Sequence, residues 1–483
     1  MRYETVIGLE VHAQLSTNSK IFCGCSTTFG AEPNTQICPI CLGMPGVLPV
    51  LNKKAVEYAI KMALAVHCEV NERSIFARKN YFYPDLPKGY QISQYEEPLA
   101  RKGWVEVDLK DGVKKPIRIN RIHLEEDAGK SVHAKEYVSE NESLIDFNRC
   151  GIPLIEIVSE PDIRSPEEAR LYLTKLRQLV RWLSICDGNM EEGSLRCDAN
   201  ISLRPEGTEK LGVKAELKNM NSFRSVERAL AFEVKRQTNI LEKGGKVLQE
   251  TLLWDEANNV ALPMRGKEEA HDYRYFPEPD LVPLIVKKEW KDEIQKSLPE
   301  MPDARKLRWV EKFGIPEYDA SVLTEEKSVA DYFEAVVDNV KDAKQASNWV
   351  MGEVLRILKE EKLNIDELKI RPSQLADIIK LVEEGTISRR AGKAVFNEVA
   401  HTGAAPEKVV EKLGLLQLSD SSKLDEIITR VIEKHSAEVQ KFLKGKKSIL
   451  SFFMGEVMKA TNGKANPRVV NEILRKRLKD DRT

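Results

Sequence analysis

Apolar and polar residues alternate along Thr5-Val6-Ile7-Gly8-Leu9-Glu10-Val11-His12, the period-two pattern of a strand with one buried and one solvated face. The same alternation runs through 104–109 and 117–124. Asp111-Gly112 between these two runs supplies the turn residues of a hairpin. Helices interrupt the strands. Ser165-Pro166-Glu167-Glu168 combines a capping hydroxyl, a proline suited to the first turn and first-turn acids. The apolar series Leu171, Leu173, Leu176, Leu179, Val180 and Leu183 follows at helical spacing. A further helix is expected over 225–242. From Pro299 onward the texture changes to charged amphipathic helices with few strand patterns, including helices expected over 346–359 and 372–384. A small-residue break at Gly403-Ala404-Ala405-Pro406 precedes a last helical module. In it Lys459, Lys464, Arg468, Arg475, Lys476, Arg477 and Lys479 outnumber Glu456 and Glu472. These changes predict an α+β chain in three parts: a β-rich N-terminal domain over 1–292, an all-α helical domain over 293–405 and a small helical tail domain over 406–483.

The length of 483 residues suits several cores rather than one. The formal net charge is −1, so any nucleic-acid contact has to come from local basic patches, not from a whole-molecule field. No apolar run approaches the roughly 20 residues that span a bilayer, and an acid at Glu4 interrupts the N-terminus before a leader-like apolar core forms. A cytoplasmic protein with reduced thiols and no membrane partner is expected.

That compartment changes the reading of the cysteines. Cys23-Gly24-Cys25 and Cys38-Pro39-Ile40-Cys41-Leu42-Gly43 are two close thiol pairs separated by a loop, the spacing of a tetrahedral zinc site with four thiolates. With all four ligands from protein, such a site is closed and structural; four packed, metal-free cysteines are the plainer alternative. Cys68, Cys150, Cys186 and Cys197 lack this spacing and are expected in the core. Acids form a second set. Glu10 and His12 share one face of their strand. His123-Leu124-Glu125-Glu126-Asp127 ends another, and Asp198, Asn200, Glu216 and Lys218 lie on two more. Carboxylates gathered from neighbouring strands repel one another unless a cation neutralises them, and Mg²⁺ would do so while holding nucleotide phosphates; ordinary solvated strand charge gives the same pattern if the strands are not neighbours. The third set is aromatic and basic. The segment 78–90 and the segment His271-Asp272-Tyr273-Arg274-Tyr275-Phe276-Pro277 interleave cations and rings, are too polar and proline-broken for a core element, and suit stacking on an RNA end or a nucleobase. There is no G-x-x-x-x-G-K-[ST] loop, no G-x-G-x-x-G, no H-E-x-x-H and no G-x-S-x-G.

Several segments together carry a family resemblance. They are Gly8-Leu9-Glu10-Val11-His12-Ala13-Gln14-Leu15, the four-cysteine insert, Lys79-Asn80-Tyr81-Phe82-Tyr83-Pro84-Asp85, His123-Leu124-Glu125-Glu126-Asp127, Asn148-Arg149-Cys150-Gly151-Ile152-Pro153, Leu217-Lys218-Asn219-Met220-Asn221 and Asp272-Tyr273-Arg274-Tyr275-Phe276. With them the chain resembles, over essentially its whole length, the B subunits of the bacterial glutamyl-tRNA(Gln)/aspartyl-tRNA(Asn) amidotransferases. The resemblance implies a cradle-shaped β-rich domain, a helical domain and a tail that binds tRNA. It implies ATP-dependent phosphorylation of the side-chain carboxylate of a misacylated tRNA, followed by amidation. The ammonia would come from an amidase (glutaminase) subunit, with a small bridging subunit completing a heterotrimer. It implies a magnesium neighbourhood at Glu10, His12, Glu125 and Glu216, with Asp198 and Glu156 as further acids; zinc at Cys23, Cys25, Cys38 and Cys41 rests on the paired spacing, and some members of the family lack these cysteines. Lys79, Tyr83, Ser93 and Lys218 are the candidate ATP contacts. A non-catalytic tRNA-binding scaffold and an aminoacyl-tRNA synthetase are the competing classes.

Overall fold

A computed structural model describes residues 2–132, 142–264, 273–417, 421–443, 448–461 and 463–480. The described chain divides into two compact units, Met1–Met301 and Pro302–Thr483. The first is built on a nine-stranded sheet whose spatial order is Val260–Pro263, Glu250–Asp255, Ala215–Lys218, Leu195–Pro205, Tyr3–Gln14, Pro153–Ser159, Lys114–Glu126, Ala100–Asp108 and Glu69–Val70. Neighbours run antiparallel except Ala215–Lys218 beside Glu250–Asp255, which are joined through the helix Phe223–Glu242, because parallel strands need a long crossover.

The central strand Tyr3–Gln14 shows why the sheet has two unlike faces. Ile7, Leu9, Val11 and Ala13 are completely or almost completely buried. Gly8, Glu10, His12 and Gln14 point the other way. The helices Lys53–Ala65, Pro166–Trp182 and Phe223–Glu242 cover the apolar face, leaving the polar face open as the floor of a cradle. Their starts are fixed locally: Ser165 Oγ accepts the Glu168 N–H at 3.1 Å, and Ser222 Oγ accepts the Ser225 N–H at 3.1 Å, each satisfying a donor that a helix N-terminus leaves unpaired. The expected hairpin joins Ala100–Asp108 to Lys114–Glu126 through a single 3-10 turn, with Gly112 at φ 74°.

The segment 78–90 is a loop over 81–89, as expected, but its two ends lie in strands. Ala77–Asn80 and Tyr90–Ser93 are paired strands, and Phe276–Pro277 adds to them as a third. Polarity misled here because this small sheet is short and half-exposed, so its strands do not read as apolar runs.

In the second unit the helices Pro302–Phe313, Lys327–Val337, Pro372–Glu383 and Arg389–Thr402 pack around Trp309, Phe333, Trp349 and Phe396. The helix expected over 346–359 is Ala343–Trp349 continued through a π turn, Val350–Val354, into Leu355–Glu361. Apolar spacing of three to four persists across a π turn, so periodicity does not register it. Gly403, at φ 71°, caps Arg389–Thr402 in the left-handed conformation that glycine adopts without strain. Beyond residue 420, Leu424, Ile428, Phe453, Val457, Val470, Leu474 and Leu478 form a separate apolar cluster. Among the tail cations, Lys459 pairs with Glu456 and Arg477 with Asp425; the Lys479 side chain lies outside the described set. No helix among the described residues is long and apolar enough to cross a membrane.

Candidate active site

Five neighbouring strands each deliver side chains to the open face. In register, Glu10 lies opposite Asp198 and His12 opposite Glu156. Glu156 lies opposite His123, and Asn200 opposite Glu216. The strands expected to share a site are therefore adjacent, with Pro153–Ser159 inserted among them. Side chains directly opposite on one sheet face are about 5 Å apart, so these acids must be compensated.

His12, Glu125 and Glu156 form the centre, with one ligand atom of each within 4.8 Å of the others. His12 Nε2 lies 3.2 Å from Glu156 Oε2 and 4.0 Å from Glu125 Oε2. His123 Nε2 lies 3.2 Å from Glu125 Oε1 and 3.4 Å from Glu156 Oε2. Ser93 Oγ donates to Glu125 Oε1 at 2.6 Å and Gln91 Nε2 to Glu125 Oε2 at 3.2 Å. Burial alone would push both carboxylic acids up and both imidazoles down. The mutual contacts outweigh it. Glu156 is held well below the ordinary carboxylate range by His123 and His12. Glu125 is lowered, its burial and the Glu156 charge overcome by His123 and Lys79. His123 is raised to about 9 by the Glu156 charge and its bonds to Glu125 and Glu156, and His12 is raised by Glu156 and Glu125. Glu10 lacks such help: burial, then the charges of Glu156, Asp198 and Glu216, raise it.

The acids expected to act together are thus divided. His12 and Glu125 join Glu156. Glu10 accepts from Asn200 Nδ2 at 3.1 Å. Glu216 is bound by Lys218 at 2.9 Å and by Thr251 Oγ1 at 2.9 Å, while Lys218 also holds Asp198. An octahedral cation with bonds of about 2.1 Å spaces its ligand atoms by about 3 to 4 Å. The 3.2 and 4.0 Å separations around His12 fit that spacing, so the central trio suits a small hard cation.

A cleft of about 400 Å³ opens above the trio and is lined by His12, Glu125 and Lys79, by Tyr81, Tyr83 and Tyr273, and by Asp127, Arg149, Arg196 and Asp198. Lys79 is half-buried beside the rings, with Nζ 4.9 Å from the Tyr273 centroid. Burial disfavours its charge, but Glu125, Tyr275 and Glu156 more than restore it. Of the four expected nucleotide contacts, Lys79 and Tyr83 line this cleft, whereas Ser93 and Lys218 are engaged in holding carboxylates. The two aromatic segments meet in space. The Asn80 N–H donates to Tyr273 O at 2.9 Å, and Arg78 grips Glu278 through two bonds of 2.7 and 2.8 Å. His271 and Asp272 lie outside the described residues. Sequence reading placed Asp127 among the strand-end acids without giving it a role, and did not single out Arg196. Arg196 had a usable sign, since it lies two residues from Asp198 on one strand face.

The four insert cysteines also converge, with their sulfurs mutually within 4.8 Å. A tetrahedral zinc with Zn–S bonds of about 2.3 Å has S–S edges of about 3.8 Å, and Cys38 and Cys41 are separated by 3.8 Å. The Cys38 N–H points at Cys41 Sγ at 3.0 Å. Gly43, at φ +64°, closes the knuckle against Lys88, which leaves no room for a side chain. Hydrogen bonding from Cys23 and the nearby Lys20 pull the Cys41 thiol down to about 5. The donor set fits zinc. Cys68, Cys150, Cys186 and Cys197 are buried.

A family model described as the GatB/GatE catalytic domain matches residues 5–292, and one described as the GatB domain matches residues 331–478. The chain belongs to the GatB/GatE family. Proteins named as the B subunit of aspartyl/glutamyl-tRNA(Asn/Gln) amidotransferase resemble it end to end. The one from Thermodesulfovibrio yellowstonii is 56% identical over 480 residues, covering 99% of this chain and 100% of the relative. That from Geotalea daltonii is 55% identical over 478 residues, with 99% and 100% covered; that from Persephonella marina is 54% identical over 480 residues, again with 99% and 100% covered. The GatB/GatE family is the one the motifs resembled, and the α+β class expected from the sequence holds. Membership makes the chain an enzyme subunit, and the acidic trio and its cleft lie inside the matched catalytic domain.

Proposed function

We propose that this chain activates the side-chain carboxylate of Glu-tRNA(Gln), Asp-tRNA(Asn) or both with ATP and then amidates it. The observation that supports this best is the His12–Glu125–Glu156 trio, a hard-cation donor set of which His12 and Glu125 line a cleft walled by aromatic rings and a half-buried lysine. A carboxylate resists attack by ammonia because oxide is a poor leaving group. In the proposed step a carboxylate oxygen attacks the γ-phosphorus, the bond to ADP breaks, and an acyl phosphate forms. Ammonia then attacks the carbonyl carbon and phosphate leaves. Magnesium, when held by His12, Glu125 and Glu156 with Glu10 close by, supplies stabilisation of the charge on the transferred phosphoryl group. Lys79, kept protonated, faces the same charge from above. Tyr81, Tyr83 and Tyr273 suit stacking of the single-stranded acceptor end. In this reading Asp198, Glu216 and Lys218 form a neutralised border, and Ser93 fixes Glu125.

The cysteine quartet is read as a structural zinc site holding residues 20–50 against the cradle. The three-part division at 292 and 405 assigns tRNA-body binding to the basic tail. Ammonia is read as arriving from an amidase subunit, with a small bridging subunit completing a cytoplasmic heterotrimer. The test is direct. The full chain with ATP, Mg²⁺, charged Glu-tRNA and ammonium should form ADP and some Gln-tRNA. It should not hydrolyse glutamine. AMP as the product would indicate a synthetase, no nucleotide cleavage a scaffold, and glutamine hydrolysis by this chain alone would overturn the division of labour.

A further inference from the structure

The cations that line the cleft differ in what they hold. Arg149 directs Nε to Ala128 O at 3.0 Å and Nη2 to Gly129 O at 2.6 Å, which braces the chain just beyond the strand that carries Glu125. Lys79 stands on the tyrosine side, with Nζ 4.9 Å from the Tyr273 ring centroid. Arg196 is differently placed. It lies directly opposite His12 on the neighbouring strand, Leu195–Pro205, where paired side chains stand about 5 Å apart. It therefore meets the cleft beside the trio.

The Arg196 guanidinium is aimed but little used. Nη2 donates to Asp127 Oδ2 at 3.0 Å, while Nε is buried and makes no hydrogen bond among the described residues. Asp127 is the brace. Its Oδ2 also accepts Gln14 Nε2 at 2.7 Å, and its Oδ1 accepts the Ala128 N–H at 3.0 Å. A carboxylate so occupied has little to offer a ligand, and it holds the guanidinium over the central strand. A buried N–H donor without an acceptor is costly and rare in a folded protein, so an acceptor from outside the chain is expected beside Nε. A guanidinium is planar and always charged, and its fork of donors matches a carboxylate or a phosphate.

We propose that Arg196 receives the side-chain carboxylate of the aminoacyl group and so tells the acid substrate from the amide product, an assignment that rests on the carboxylate-activating reading above. Two anions, the carboxylate and the triphosphate, have to be brought together at the trio. Lys79 and the trio already address the phosphate charge. Of the two guanidinium groups in the cleft, Arg149 is committed to carbonyls, which leaves Arg196 with donors for the second anion. Its fork holds the planar carboxylate and offsets the repulsion as an oxygen nears the phosphorus. Amidation removes the charge and turns one of the two acceptor atoms into an N–H donor. The product then sets donor against donor and binds less tightly. The residue that gathers the substrate in this way also favours release of the product.

The test compares one tRNA in three states, Glu-tRNA(Gln), Gln-tRNA(Gln) and uncharged, by filter binding to the full chain with Mg²⁺. The wild-type chain should bind Glu-tRNA about tenfold or more tighter than Gln-tRNA, the difference that a charge-assisted bond makes. Arg196→Gln should bring the two within about twofold of each other. Arg196→Lys, which keeps the charge without the fork, should fall between. Binding of Gln-tRNA and of uncharged tRNA should stay within about twofold of wild type in both variants, which also reports that the fold is kept. A residue that only braced Asp127 would weaken Glu-tRNA and Gln-tRNA together, and that outcome overturns the proposal. So does an unchanged ratio in Arg196→Gln, or a wild-type chain that does not distinguish the two charged forms. Loss of inorganic triphosphate binding with the ratio kept would give Arg196 to the phosphates and overturn it as well. ADP formation by the wild-type chain is scored separately: its absence removes the carboxylate-activating reading, while the ratio still decides what Arg196 binds.

Discussion

Replacing Glu125 by Gln probes the trio with little change of shape. Glu125 Oε1 accepts Ser93 Oγ at 2.6 Å and faces His123 Nε2 at 3.2 Å. A glutamine carbonyl oxygen can keep both contacts. The other oxygen, which accepts from Gln91 and faces His12 at 4.0 Å, becomes an amide that can accept nothing. What is lost is one negative charge, and with it one ligand of a divalent cation. A unit charge about 4 Å from a partner is worth about 4 kcal/mol at an effective dielectric of about 20. Relaxation recovers part of this, so a barrier increase of about 3 to 4 kcal/mol is expected, a loss of about 10²- to 10³-fold in turnover. The assay is ADP release at saturating ATP and charged tRNA, repeated at increasing Mg²⁺, with tRNA affinity measured separately by filter binding. Turnover should fall, partly recover with Mg²⁺, and tRNA affinity should stay within about twofold. Glu156→Gln should behave alike, whereas Glu216→Gln, whose carboxylate is already bound by Lys218 and Thr251, should cost less. Wild-type ATP turnover in Glu125→Gln, or an equal loss in tRNA binding, refutes the assignment.

Metal analysis should find one zinc per chain, and its removal should raise hydrogen exchange in residues 20–50 before the sheet; four freely titrating thiols in fresh protein would refute the zinc site. Truncation after residue 417 spares the packing of Val409 and Val410 and should weaken tRNA binding, lowering the slope of log affinity against log salt by roughly 0.7 to 0.9 for each phosphate no longer neutralised; an unchanged slope leaves the tail as a packing module. Arg305, 8% exposed, binds Glu334 at 2.6 Å and Asp331 at 2.5 Å. Burial opposes the charge on both acids, but their cationic partners lower both below their ordinary values. Acids lowered in this way contribute stability that is present above their unfolded pKa and lost as pH falls through the folded value. Arg305→Met leaves Lys327 on Asp331 and Arg308 on Glu334, so it should cost about 1 kcal/mol at neutral pH, with the gap to wild type closing below about pH 4; a pH-independent difference in melting temperature would show that lost packing, not charge, is responsible.

The legible parts of this molecule are those governed by local periodicity. The central strand, its hairpin neighbours and the helix begun by Ser165 and Pro166 follow from spacing and capping alone. The cysteine quartet was legible because metal ligands come in short, regular pairs. What spacing does not carry is which strands are neighbours. Glu156 sits in a run, Pro153–Ser159, that is buried almost throughout, so its pattern is that of a core strand with one acid in it. Only the sheet order, which inserts this strand between those of His12 and Glu125, brings that acid beside them. The same ignorance of neighbours hid the division of Glu10 and Glu216 from the trio, and hid the small sheet beneath the aromatic residues.

The charge on the open face bears on how such a cluster survives before any ligand arrives. Asp127 is held by Arg149 at 3.7 Å and by Arg196 at 3.0 Å, and Lys218 holds Asp198 and Glu216. Glu125 and Glu156 are left to the charge of Lys79 and to His12 and His123, both within 4 Å of the shared carboxylates. The trio therefore need not collapse or spread in the absence of metal: its carboxylates are already drawn together by the imidazoles, at separations a small cation accepts. Glu125 and Glu156, which would otherwise repel, are in this way held below the ordinary carboxylate range and preorganised. The cost of gathering them is met within the folded chain, not at the moment of binding.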